Sequence, residues 1–235
     1  MALNAGLACH GLRFGWPGEQ GDDRILLQAV TAWFQPGRVS LVTGATGAGK
    51  STLLHLLGGL LRPVAGEVRA EDQPVSRWPA RHRDPWRRRV GMVFQHLALV
   101  PDLSVAENLL LPLVPRGMKW SAMQAAITRQ LEAVELGQLA AKPVYTLSGG
   151  QRQRLAIARA LVGAPRFVLA DEPTAFQDDR QAARICAQMG AVARTGVVVV
   201  IGSHDPRLRN ASEVDDRWHL AAGRLTAVGP PQAAP

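Results

Sequence analysis

The residues best suited to chemistry are Gly44-Ala45-Thr46-Gly47-Ala48-Gly49-Lys50-Ser51, which follow a β-rich run and open a helical one. Glycines at this spacing let successive backbone N–H groups curl around an anion, and the helix start adds its partial positive charge. Lys50 can then reach the β- and γ-phosphates of a nucleotide, and the Ser51 hydroxyl can bind Mg²⁺. A glycine-rich turn capping an ordinary helix would share the bare pattern; its place between strand and helix favours the phosphate site. Phe167-Val168-Leu169-Ala170-Asp171-Glu172-Pro173 reads as an apolar strand that ends in two adjacent carboxylates and is stopped by proline. Ligands of doubly wound sheets bind beyond the carboxyl ends of the strands. Asp171 can therefore face the metal while Glu172 orients a water for attack on the γ-phosphate. Of the six histidines, only His204 stands at the end of an apolar run; His10, His55, His82, His96 and His219 belong to no constellation.

These groups need a scaffold that delivers several strand ends to one place. Short β-rich runs at 39–43, 167–170 and 197–201 alternate with helical stretches such as 50–61. That alternation predicts an α/β fold with a mostly parallel sheet, and strands apolar throughout predict a sheet covered on both faces. Between about 101 and 162 the period changes: Met123, Ile127, Leu131 and Val134 recur at helical spacing, ending near Gly137. The expectation is a helical insertion in the α/β core. The proline-rich end, 229–235, is expected to be a loose tail.

Composition narrows the setting. With 235 residues, 47% of them apolar, the chain can fill a continuous core, which excludes general disorder. Its 27 basic residues against 19 acids give a net charge of +8, suited to nucleic acid, an anionic membrane surface or a polyphosphate ligand. Two cysteines, Cys9 and Cys186, suggest neither a disulfide framework nor a zinc site, and a reducing compartment is expected. No apolar run approaches the ~20 residues of a membrane-spanning helix, and the first residues lack the features of a secretion signal. A cytoplasmic location follows as an expectation.

Leu147-Ser148-Gly149-Gly150-Gln151, followed by Arg152-Gln153-Arg154, resembles the signature motif of ATP-binding-cassette (ABC) ATPases. Taken by itself, Ser148 is a good helix N-cap, and two glycines let that helix start approach an anion; an ordinary capped helix would share these features. With the phosphate loop before it and the Asp-Glu strand after it, the resemblance covers nearly the whole chain. It implies a RecA-like P-loop core at 1–95 and 163–228, an antiparallel β part at the N-terminus, and a helical signature subdomain at about 96–162, all one ATPase domain. It also implies a head-to-tail homodimer in which each Mg²⁺-bound ATP lies between one subunit's phosphate loop, Gly44 through Ser51 and Thr52, and the other's Ser148, Gly149, Gly150 and Gln151.

Residue by residue, the resemblance makes Glu172 the base, His204 a γ-phosphate contact, and Gln95 the glutamine that touches Mg²⁺ and water. Ser51, Asp171 and Gln95 would serve the metal, and Trp16 would stack on adenine where tyrosine is commoner. One segment departs from the family: Ala175-Phe176-Gln177-Asp178 carries glutamine where leucine is usual, in a stretch that crosses the dimer interface of relatives. The runs Ser51 to Leu60, Gln95 to Pro112 and Leu169 to Thr174 look most like the branch serving lipoprotein release and macrolide export. That branch implies a separately encoded integral membrane permease and a peripheral place on the cytoplasmic face of the inner membrane. A cell-division complex that signals without transport, and a soluble relative acting on nucleic acid or ribosomes, remain open. The stretch Arg77 to Arg89, with six arginines, Trp78 and Trp86, suits a solvated face first, contact with anionic lipid second, and nucleic acid least, so no stable nucleic-acid partner is expected.

Overall fold

The computed structural model describes residues 6–17, 24–175 and 177–229. The chain runs β1 (Leu7–Trp16), β2 (Arg24–Phe34), β3 (Val39–Thr43), α1 (Lys50–Leu57), β4 (Ala65–Ala70), α2 (Ala80–Arg87), β5 (Val90–Val93), α3 (Val105–Leu110), α4 (Trp120–Ala133), α5 (Gly149–Leu161), β6 (Phe167–Asp171), α6 (Asp179–Arg194), β7 (Val198–Gly202), α7 (Pro206–Arg209), β8 (Asp216–Ala221) and β9 (Arg224–Ala227). Most of the expected tail lies outside the described residues.

Two sheets result. A six-stranded sheet has the order β5-β6-β7-β3-β8-β9, and all its pairings are parallel except β8 with β9. A smaller sheet, β2-β1-β4, is antiparallel. The α/β expectation holds, with the antiparallel part built by the N-terminal strands plus β4. Every residue of β3, β6 and β7 is buried, which is why these strands read as mostly apolar, with Ser40, Thr43 and Asp171 the buried polar exceptions.

The apolar residues fill three cores. One joins the two sheets around α1, with Leu53, Leu54 and Leu57 against Phe34 and Phe167. A second covers the other face of the parallel sheet with Ile157, Ile185 and Met189. A third lies among the helices between β5 and β6, where Leu109, Leu131 and Leu155 meet. Helix α5 belongs to both of the last two: Ile157 and Ala160 face the sheet, while Leu155 and Ala158 face the helices. Successive positions of one helix point in different directions, so a single element can join two cores.

Two local expectations are corrected. The first helix stops at Leu57 rather than Leu61, because the Gly58 and Gly59 that follow give it a poor continuation and Gly59 adopts a left-handed φ of 72°. The tryptophans of the basic stretch are not a surface device. Trp86 is buried against Phe167 with ring centroids 4.8 Å apart, and Trp78 packs on the same core. Arg87 donates to the Gly59 carbonyl at 3.0 Å, and Arg89 pairs with Glu71 at 2.5 Å, so both cations help fasten the stretch down.

Helix α5 and β5 touch closely at Gly91, where a Cβ would stand 2.1 Å from the Ala160 carbonyl oxygen. Gly91→Ala must therefore separate strand from helix. It should destabilise the fold by about 1–3 kcal/mol, read as a lowered urea midpoint with an unchanged slope.

Candidate functional site

Because β3, β5, β6 and β7 run parallel, their carboxyl ends share one edge: Val42 and Asp171 both pair with Gly202, and Val93 pairs with Ala170. The residues just past those ends are the phosphate loop, Gln95, the Asp171-Glu172 pair and Ser203-His204. Chain order reverses on either side of β3, which places the crevice at a topological switch point.

Gly49 caps α1 with a φ of 104° and without any side-chain cap, and a Cβ there would press on Leu26 and Leu27 at 3.2 Å. Only glycine fits a left-handed turn this close to a neighbouring strand. The uncapped helix start is the kind that binds anions. Lys50 is buried, and its ammonium donates to the carbonyls of Gly44 at 2.9 Å and Ala45 at 3.1 Å, so the loop carries its positive charge at its own centre.

Asp171 is buried at the end of β6, and its Oδ1 has no hydrogen-bond partner. Burial raises the pKa of this carboxyl, the Ser51 hydroxyl bonded to it works the other way, and the charge of Glu172 adds to the rise. A buried carboxylate oxygen left open beside a hydroxyl suits a small hard cation completed by oxygens from elsewhere. Among the described residues no group of three or more His, Cys, Asp or Glu could cage a metal, so such a cation needs oxygens from its ligand and from water.

Glu172 is buried and sits in the left-handed region at φ 47°, uncommon for a residue with a Cβ. The surroundings hold it there. Its N–H donates to the Gly202 carbonyl at 2.8 Å. Its carboxylate accepts from the Ser203 hydroxyl at 2.6 Å and from the His204 N–H at 3.1 Å, with His204 Nδ1 at 2.6 Å and Lys50 Nζ at 3.9 Å. The His204 side chain itself stays 60% exposed. A carboxylate fixed this way, with one edge on an open cleft, can orient a water, and the exposed imidazole can contact an anion.

A cavity of about 220 Å³ gathers Thr46, Gly47, Gly49, Lys50, Ser51 and Thr52 with Gln95, Glu172, His204 and Leu26. Asp171 lies beneath it through Ser51. The signature residues are elsewhere. Ser148 caps α5 through a reciprocal capping box with Gln151, and Gly149 borders a different cavity of about 380 Å³ that also touches Gln95, Gln153 and Gln177. Within one chain, then, Gln95 faces both places and the two helix starts do not meet. Trp16 also stays outside the first cavity. It ends β1 at 48% exposure, edge-on to Phe14 at 5.1 Å, one strand away from Leu26. Phe176 of the departing segment lies outside the described residues, whereas Asp178 caps α6 by accepting from the Gln181 N–H at 2.8 Å.

Sequence reasoning passed over Ser203, which precedes His204 and locks Glu172, and Leu26, whose strand carries no motif. It also passed over Arg207, which ties the segment after Glu172 to the one after His204. A polar residue directly between an apolar strand and His204 was the available signal for Ser203.

Residues 27–175, more than half of the chain, match the family described as ABC transporter, and the chain belongs to that family. It is an ABC ATPase cassette with the P-loop fold. Solved structures agree. A dimeric post-hydrolysis state of the ATP-binding cassette MJ0796 bound to ADP and Pi is 29% identical, with a TM-score of 0.85 over 93% of this chain and 96% of that one. A further dimeric structure of MJ0796, a bacterial ABC transporter cassette, is 28% identical with the same coverage and TM-score. CbiO1 from Clostridium perfringens, part of the ABC transporter complex cbiONQ, is 25% identical with a TM-score of 0.81, over 94% of this chain and 86% of that one.

Removing the hydroxyl that holds the buried Glu172 carboxylate should be costly. Ser203→Ala is expected to lower unfolding free energy by about 1.5–3 kcal/mol in chemical denaturation, the range for a hydrogen bond to a charged group.

Proposed function

We propose that this chain binds and hydrolyses Mg²⁺-ATP as a head-to-tail homodimer and drives a separately encoded integral membrane permease of the lipoprotein-release or macrolide-export type. The observation that carries this reading is the shared edge of β3, β5, β6 and β7, which puts the phosphate loop, Gln95, the acid pair and His204 around one cavity. The triphosphate would lie on the Gly44–Thr52 loop, with Lys50 at its β- and γ-phosphates. Ser51, Asp171 and Gln95 would hold Mg²⁺, whose charge would neutralise the phosphates during transfer. Glu172 would orient the attacking water and His204 would contact the γ-phosphate, so that catalysis is mostly positioning and electrostatics. Trp16 would stack on the adenine, for which its half-exposed ring offers a flat face.

The separation of Ser148 from the cavity supports the dimer: a signature-bearing helix start that does not meet its own chain's phosphate loop is suited to a neighbour's. MJ0796, similar along nearly its whole length, is described as dimeric. No helix of the described residues is long and apolar enough to cross a membrane, so coupling to transport calls for a partner that does. A groove of about 380 Å³ bordered by Phe94, Leu111, Pro112 and Arg116 lies beside the Gln95 loop, the region that approaches the membrane subunit in relatives, and it is our candidate for that contact. Within the Arg77 to Arg89 stretch, Arg88 is exposed and could face anionic lipid; Arg77 is exposed as well, its guanidinium pairing with Glu67 at 2.7 Å.

Two variants test the chemistry. Lys50→Ala should weaken ATP binding at least tenfold in a fluorescent-nucleotide titration. Glu172→Gln should keep ATP binding, lose about 100-fold or more of turnover, and elute as an ATP-dependent dimer on size exclusion. Full turnover by Glu172→Gln would sink the assignment. Purification from detergent extract should bring down a multispan membrane protein; ribosomes or DNA in its place would favour a soluble, non-transport relative.

A further inference from the structure

The segment after Glu172 is fastened on two sides. Toward α5, the Gln153 side-chain amide donates to the Pro173 carbonyl at 2.5 Å. Toward β7, the guanidinium of Arg207 spans the whole segment. It donates to the Gln177 carbonyl at 2.9 Å, to the Thr174 carbonyl at 3.3 Å, to Asp179 Oδ1 at 2.9 Å and to Asp205 Oδ2 at 2.8 Å. The Thr174 hydroxyl donates to the same Asp205 carboxylate at 2.6 Å. Burial raises the Asp205 carboxyl, but the hydrogen bonds from Arg207 and Thr174 together outweigh it and hold the group at about 2. The clamp is therefore fully charged at any physiological pH.

We infer that Arg207 is a positioning residue which makes the His204 loop and the 174–179 segment one mechanical unit, so that the state of the ATP site sets the placement of the signature helix start. This rests on the dimeric ATPase reading above. His204 is joined to Arg207 through only Asp205 and Pro206, and it also grips Glu172 through its N–H and Nδ1. A shift of His204 toward a γ-phosphate must move Arg207. Through the planar fork Arg207 then moves the backbone of Thr174 and Gln177, and through the adjoining Pro173 carbonyl it moves Gln153 near the start of α5. The clamp acts where the chain departs from its family: Gln177 stands in place of leucine, and the Arg207 fork holds its carbonyl rather than its side chain. A lysine could not replace the fork, since one ammonium has three donors and no fixed plane with which to span four oxygens.

The test compares Arg207→Ala, Arg207→Lys and Asp179→Asn, each alone and in the Glu172→Gln background. Arg207 borders neither the phosphate loop nor its cavity, so nucleotide affinity of the single chain should stay within about threefold. Under the proposal Arg207→Ala and Arg207→Lys lower kcat at least tenfold with KM for ATP little changed, and weaken the ATP-dependent dimer of the Glu172→Gln protein at least tenfold by sedimentation. Asp179→Asn, on a residue 94% exposed that cannot threaten the fold, should give a smaller loss in the same two readouts. Wild-type kcat and dimerisation in Arg207→Ala would overturn the proposal. So would a loss of nucleotide affinity in step with thermal stability, or full rescue by Arg207→Lys. If Glu172→Gln with Arg207 intact fails to dimerise on ATP, it is the dimeric reading that fails, separately from the role of Arg207.

Discussion

Two adjacent carboxylates, Asp171 and Glu172, are buried at the end of a strand, and most of the site can be understood as what that burial demands. A desolvated charge is tolerated only where donors or a cation meet it. Glu172 is met by Ser203, His204 and the nearby Lys50 ammonium, which together hold it in a left-handed backbone conformation that its own Cβ disfavours. Asp171 is met on one side by Ser51 and left open on the other. One acid is thus fully committed to position and its neighbour is kept in need of a ligand. The alternation of faces along the chain separates the two roles.

The parallel sheet makes this possible. Antiparallel neighbours would send alternate strand ends to opposite edges, and the phosphate loop, the acids and Ser203-His204 would be scattered. Instead β3, β6 and β7 end together at Val42, Asp171 and Gly202. Helix α5 extends the arrangement outward. It packs on the sheet with one set of residues and on the helical part with another, and its first turn carries the signature residues. Pro173, directly after the acids, accepts a hydrogen bond from Gln153 of that helix.

The basic stretch shows how composition can mislead when packing is unseen. Six arginines and two tryptophans in thirteen residues look like a surface for polyanions, yet Trp86 fills the core beside Phe167, and Arg87 and Arg89 are bound to Gly59 and Glu71. Those partners lie about 28 and 18 residues earlier in the chain, so no local pattern announces them.

What the sequence alone determined was everything whose physics is local. Strands buried on both faces must be largely apolar, a left-handed helix cap pressed on a neighbour must be glycine, and the capping box at the start of α5 needs Ser148 with Gln151 three residues on. For the same reason the phosphate loop, the acid pair at a strand end, the signature and the α/β class were all legible. Only the tertiary structure decided which side chains meet across long separations. Ser203 and His204 reach Glu172 from about thirty residues away, and Arg207 gathers Thr174, Gln177 and Asp179 from a similar distance. Such contacts depend on strand order and register, which set neighbours in space without leaving a periodic mark along the chain.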